Sequence, residues 1–257
     1  MNCPNCDHLN DGGKFCVKCG TKLVSEPAAS YQPAPNQPQV TYQSQPSVTQ
    51  QNQHLEQAKQ ISKSYWGFFI KVLKKPYSES QTVGGEQFVN AMITVAIYAL
   101  FIPLMIYFGF KDYLSYMDSP FVSFVVKPTL AYAVFILLVA SFTFVALKLG
   151  KVNVGYKDVL SRFGTILIPF VGLFAVALVL SLLQVEFFLL LLVIGFIGSI
   201  FTVPPLVISS FKKGSHEGLD VVYGTILTYI ATIITVGMMS DMLFEVLRDY
   251  IQSMFMF

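Results

Sequence analysis

Five stretches of this chain are each about 20 residues long, strongly apolar and free of Asp, Glu, Lys and Arg. A helix needs about that length to cross the roughly 30 Å of bilayer hydrocarbon, where every backbone polar group must be paired within the protein. The stretches lie near 88–110, 128–147, 163–185, 187–211 and 221–240, so 77–241 is read as a five-helix transmembrane domain. Composition agrees: 12% of the 257 residues are charged, about half the share usual in a soluble domain. The expected fold class is mainly α, a polytopic membrane protein. No signal peptide is read, because the first apolar stretch follows a polar head. Gln184–Glu186 is so short that spans three and four form a tight hairpin.

Loop charges give the expected orientation, since Lys and Arg are enriched on the cytoplasmic side. Lys59, Lys63, Lys71, Lys74 and Lys75 precede the first span. The second loop carries Lys148, Lys151, Lys157 and Arg162, and the fourth Lys212 and Lys213. The first and third loops and the tail carry no such excess. The amino terminus is therefore expected in the cytoplasm and the carboxyl terminus outside, across the cytoplasmic membrane.

That side is reducing, which bears on Cys3, Cys6, Cys16 and Cys19, the chain's four cysteines. They form two C-x-x-C pairs within the first twenty residues. Two such turns supply four thiolates to one tetrahedral ion, the donor set of a structural Zn²⁺ site. Four cysteines leave no open coordination position, so a catalytic zinc is not expected. Residues 1–25 are read as a small β-type zinc ribbon with Leu9, Phe15 and Leu23 as its core. Gly12–Gly13 is read as the reversal between its knuckles. Gly20 supplies a left-handed turn after the fourth cysteine. Asp7, Asp11 and Glu26 offset Lys14, Lys18 and Lys22, so no nucleic-acid partner is expected and a docking role fits better.

Residues 26–54 are Pro- and Gln-rich, a composition that reads as a disordered linker. From 55 to 76 Ile61, Tyr65, Phe68, Phe69 and Val72 recur at helical spacing, with Lys59, Lys63, Lys71 and Lys74 mostly opposite and Trp66 at the boundary. This basic amphipathic helix, with Lys75 at its end, suits either an anionic membrane surface or the bundle's own face. The tail 242–257 is also amphipathic and is read as an interfacial segment or an extension of the last span. The spans hold no ionisable residue at mid-depth, where transporters and intramembrane enzymes carry theirs. Thr225, Thr228, Thr232 and Thr235 form a stripe on the fifth span, read as helix–helix hydrogen bonding before pore lining. The soluble catalytic motifs are missing too, and the chain is expected not to be an enzyme.

Gly155-Tyr156-Lys157-Asp158-Val159-Leu160-Ser161-Arg162-Phe163, running into Ile168-Pro169, resembles the entry to the third span in bacterial members of the YIP family. Five spans and a polar cytoplasmic head resemble that family too, over roughly residues 64–240. The eukaryotic partner-binding motifs are not evident. The resemblance implies a non-enzymatic membrane organiser, and the added ribbon suggests a bacterial one. The first expectation is therefore a scaffold or accessory protein of the lipid bilayer whose ribbon docks a protein partner, with a homo-oligomer compatible. The alternatives are a small permease or channel subunit, and a zinc- or redox-responsive regulator.

Overall fold

The computed structural model describes residues 2, 3, 6, 8, 9, 15–19, 23, 48–111, 121–213 and 217–255. The chain divides into two compact units, Met1–Gln50 and Gln51–Phe257. Seven α-helices occur among the described residues: α1 (Val48–Lys74), α2 (Pro76–Thr82), α3 (Phe88–Gly109), α4 (Lys127–Leu149), α5 (Tyr156–Leu182), α6 (Phe187–Phe211) and α7 (Val221–Phe255). A short 3₁₀ turn, Gly85–Gln87, leads into α3, and one π-helical stretch, Val122–Val126, leads into α4. Helices α3 to α7 are the five long and apolar enough to cross a membrane. The protein is a multi-pass membrane protein of mainly α class. The most part of the 26–54 linker, 26–47, lies outside the described residues, as do Asp7, Gly12–Gly13 and Gly20.

Three helices depart from the expected bounds by more than a turn, among them α5, which starts at Tyr156 rather than near 163 because Asp158 accepts the Gly155 N–H and caps it there. Helix α1 begins at Val48, seven residues before the expected start, because its polar first turns contain no Pro or Gly to stop the helix. The tail is no separate segment: α7 runs unbroken to Phe255, about 52 Å at 1.5 Å per residue. Nothing between Ser240 and Met242 breaks a helix, and the Tyr132 hydroxyl donates to the Leu243 carbonyl to hold the extension on α4.

The helices meet at small residues. A Cβ on Gly164 of α5 would lie 2.6 Å from the Ala91 Cβ and 2.7 Å from its Cα, so α3 and α5 are in near-backbone contact. Gly195 of α6 likewise seats the ring of the buried Phe174 from α5. Spans lack a hydrophobic drive to associate, so close packing of this kind holds them together. Gly164→Ala is expected to cost about 1–3 kcal/mol by overpacking. A lowered thermal midpoint in detergent, restored only in part by adding Ala91→Gly because the Ala91 backbone still crowds the new Cβ, would check it.

The threonine stripe works differently from the expectation. Thr225, Thr228, Thr232 and Thr235 each donate to the carbonyl four residues earlier in α7 itself, at 2.8–2.9 Å. A hydroxyl in a helix reaches its own preceding turn more readily than a neighbour's backbone. Thr228, Thr232 and Thr235 are buried, and their hydrogen bonds run within α7 rather than between helices. Between spans, Tyr98 of α3 and Ser199 of α6 share a buried hydrogen bond of 2.5 Å, and Ser181 of α5 donates to the Met105 carbonyl of α3 at 2.6 Å.

Helix α1 lies along the flank of the bundle. Tyr65 is buried and its hydroxyl is 3.2 Å from the Thr94 hydroxyl of α3. Val72 is fully buried, and Leu73 reaches Gly172 of α5. The apolar stripe of α1 is therefore at least partly spent on the protein itself.

Candidate functional site

The first unit carries the cysteine cluster. Cys3 and Cys16 are buried, Cys6 is half-buried and Cys19 is exposed. Their four sulfurs lie within 4.8 Å of one another, with Cys3 to Cys19 at 3.5 Å and Cys6 to Cys16 at 3.6 Å. A tetrahedral ion with metal–sulfur bonds of about 2.3 Å sets sulfur–sulfur edges of about 3.8 Å, so the donors fit one ion. Four sulfur donors in this arrangement suit zinc or iron. The pairs bridge the two C-x-x-C turns, and the four cysteines together can hold one metal ion. The Cys3 N–H donates to the His8 carbonyl at 3.0 Å, closing the first turn.

Electrostatics shows what this crowding requires. A backbone hydrogen bond from His8 pulls the Cys6 thiol down. Hydrogen bonds with Cys19, Cys16 and Cys3, together with lost hydration, outweigh it and push the thiol up to about 12. Four thiolates at this spacing need a cation among them. The expected hydrophobic core is corrected: Leu23 is buried, but Leu9 is 67% and Phe15 57% exposed. A unit this small leaves no layer for them to pack against. Asn2 and Leu9 form an isolated antiparallel bridge, and no strand occurs among the described residues.

The basic residues of α1 do not converge. Lys59, Lys63, Lys71, Lys74 and Lys75 are exposed in turn along the helix and its end, and Trp66 is 63% exposed beside them. Lys71 pairs with Glu79 of α2 at 2.6 Å. The lysine is exposed and the glutamate half-buried, so solvent screens much of the attraction.

A polar clasp joins the helices at the end that gathers the basic loops. Asp158, in the first turn of α5, accepts the Gly85 N–H at 2.8 Å and the Gly155 N–H at 3.1 Å. One turn on, Arg162 donates from Nε to the Val83 carbonyl at 3.1 Å. Its Nη1 donates to the Ser210 carbonyl at 3.0 Å and the Ser210 hydroxyl at 3.1 Å. The guanidinium carbon sits 3.6 Å from the centre of the Phe211 ring. Nearby, the Leu219 N–H donates to the Leu149 carbonyl, and Lys212 is buried with its ammonium donating to the Glu217 and Leu219 carbonyls.

No family model matches the chain, and no solved structure matches it. The uncharacterized protein YvbI of Bacillus subtilis (strain 168) is 34% identical to it over 239 residues, 91% of this chain and 92% of YvbI. The chain belongs to the YvbI family. A likeness of that extent must take in most of the helical bundle.

Sequence reasoning about this YvbI-family chain found the four cysteines and missed the clasp. Asp158 and Arg162 were legible only as loop charges. One signal was available: Arg162 is one of two arginines in a chain otherwise supplied with lysine. An arginine chosen at a span entry marks a fork of donors that a lysine cannot replace.

Proposed function

We propose that this protein is a non-enzymatic membrane scaffold or accessory protein whose metal-loaded amino-terminal module docks a protein partner. The observation that carries the reading is the closed set of four cysteine donors, on a compact unit apart from the helical one. A site with no open position supports folding rather than catalysis, and leaves the module's surface as its working part. Zinc is the proposed metal, since it has no redox chemistry and takes four thiolates readily. The loop charges support a place in a bacterial cytoplasmic membrane with the amino terminus inside. Likeness to the YIP family, carried by residues 155–163, supports an organising role for the bundle. The exposed lysines of α1 are proposed to rest against anionic headgroups, with homo-oligomers compatible.

The test is crosslinking in native membranes for wild type and a Cys16→Ser/Cys19→Ser double variant. The expected outcome is a set of partners caught by wild type and lost in the variant. An unchanged set would move recognition to the bundle, and no partner in either would favour a permease. A second reading is favoured by the exposure of Cys19: oxidation there would release the metal and make the module a redox-responsive regulator. In that case oxidant treatment of wild type reproduces the variant's partner loss.

A further inference from the structure

Helix α1 is joined to the bundle more lightly than the segment that follows it. Among the described residues one hydrogen bond ties α1 to a span. Thr94 spends its own proton on the Asn90 carbonyl at 2.9 Å, so the Tyr65 hydroxyl donates to Thr94 at 3.2 Å. Val72 is buried and Leu73 reaches Gly172, but Ile61, Trp66 and Leu73 stay 48%, 63% and 42% exposed. Between these contacts α1 rides over two hollows. One, of about 370 Å³, lies between Gln60 and Ser64 of α1 and Val89 and Asn90 of α3. The other, of about 360 Å³, lies among Trp66, Phe69, Phe101 and Ala175.

The segment beyond α1 is bolted down. Ser80 of α2 is buried, and Gln81 accepts from the Lys213 ammonium at 2.7 Å. Val83 and Gly85 are held by Arg162 and Asp158 in the clasp. Between the light part and the firm part stands Lys75, whose φ of −144° and ψ of 66° leave the helical region, followed by Pro76 at the start of α2. Proline has no N–H to carry the hydrogen-bond ladder of α1 onward. One or two residues that take up a backbone change between rigid elements form a hinge.

We infer that α1 is a hinged arm with two seats: docked on α3 and α5, as described, or released at Lys75–Pro76 to lie along an anionic membrane surface. Release gives up the Tyr65–Thr94 hydrogen bond. The apolar faces that part exchange one apolar neighbour for another, because packing on a span has no hydrophobic advantage over packing on lipid tails. Ile61, Trp66 and Leu73 gain cover. Lys59, Lys63, Lys74 and Lys75 are exposed and have no carboxylate partner among the described residues, and they gain anionic headgroups. Headgroup charge is therefore the lever between the seats, since it favours one of them alone. The switch rests on the proposed contact of the α1 lysines with headgroups and is independent of docking by the cysteine module.

Benzoylphenylalanine in place of Phe101, whose side chain lines the second hollow, links on illumination to whatever adjoins it. With the full chain in phosphatidylcholine vesicles, mass spectrometry is expected to find the link on α1. Raising phosphatidylglycerol to about 30% is expected to lower that yield about tenfold, the scale of a few lysines at an anionic surface, with lipid adducts in its place. Lys59→Gln, Lys63→Gln, Lys74→Gln and Lys75→Gln combined are expected to abolish the response. Tyr65→Phe is expected to lower the yield about fivefold without anionic lipid, the loss of one neutral hydrogen bond. A yield indifferent to phosphatidylglycerol, or one that falls equally in the four-lysine variant, would overturn the hinged arm. A fall accompanied by lost helical circular dichroism would overturn it too, since the helix would then be unfolding rather than moving. Trp66, the chain's single tryptophan, separates the switch from the contact it rests on. Stronger quenching of wild type by brominated phosphatidylglycerol than by brominated phosphatidylcholine, with an unmoved link, removes the switch and keeps the contact. Equal quenching with an unmoved link removes both.

Discussion

Chelating the metal is expected to unfold the amino-terminal module completely while the helical bundle keeps its circular dichroism. Ordering some twenty residues costs on the order of 20–40 kcal/mol in backbone entropy. Against this, the described buried apolar residues of the module are Cys3, Cys16 and Leu23. Fully burying a side chain of this kind returns only about 1.5–3 kcal/mol. A structural zinc supplies about 10–16 kcal/mol in small finger peptides, which makes it the deciding contribution. The wild-type chain should carry one zinc per molecule and Cys16→Ser much less. Amide exchange in residues 2–23 should become fast on chelation and slow again when zinc is returned. Acid should have the same effect as chelator, because the ligands must be thiolates and each one protonated expels the metal. Protection that persists in metal-free protein would refute the zinc-dependent fold.

The second large effect is expected at the clasp. Arg162→Ala removes donors to the Val83 carbonyl, the Ser210 carbonyl and the Ser210 hydroxyl together with the Phe211 stack. Hydrogen bonds from charged groups contribute about 1.5–3 kcal/mol each, and shared partners make them less than additive. A loss of about 3–5 kcal/mol is expected, read as a lower unfolding midpoint in mild denaturant. Lysine should not rescue it. An ammonium is a point charge and cannot serve α6 and the segment before α3 from one plane while stacking on Phe211. The loss should appear as loosening of 83–87 and of the end of α6, seen as faster exchange there than in mid-span. If Arg162→Lys equals wild type, the fork geometry is irrelevant and only charge matters.

Length and the absence of charge made the five spans legible, and α6 runs over the same residues that the sequence suggests, Phe187–Phe211. The cysteine site was legible for a related reason, since spacing alone fixes which donors can meet. What escaped depends on direction. The periodicity of α1 is the same whether Tyr65 and Val72 face lipid or protein, and the choice rests on Thr94 and Gly172, distant in sequence. The threonines of α7 repeat on one face, yet the pattern does not say whether a hydroxyl turns outward or back to its own carbonyl. The clasp was hidden because Val83, Asp158, Arg162 and Ser210 sit in three separate segments that only the folded bundle unites.

The extension of α7 has a consequence for how that helix crosses. Helix α3 ends at Gly109 and the α5–α6 hairpin turns at Leu183–Glu186, whereas α7 runs about 52 Å beside an α4 that is itself lengthened by its π turn. Against roughly 30 Å of hydrocarbon a helix as long as α7 must tilt to stay within the bilayer. Its extension stays on the bundle, where the Phe244 ring meets the Phe196 ring of α6 edge-on with centroids 5.8 Å apart.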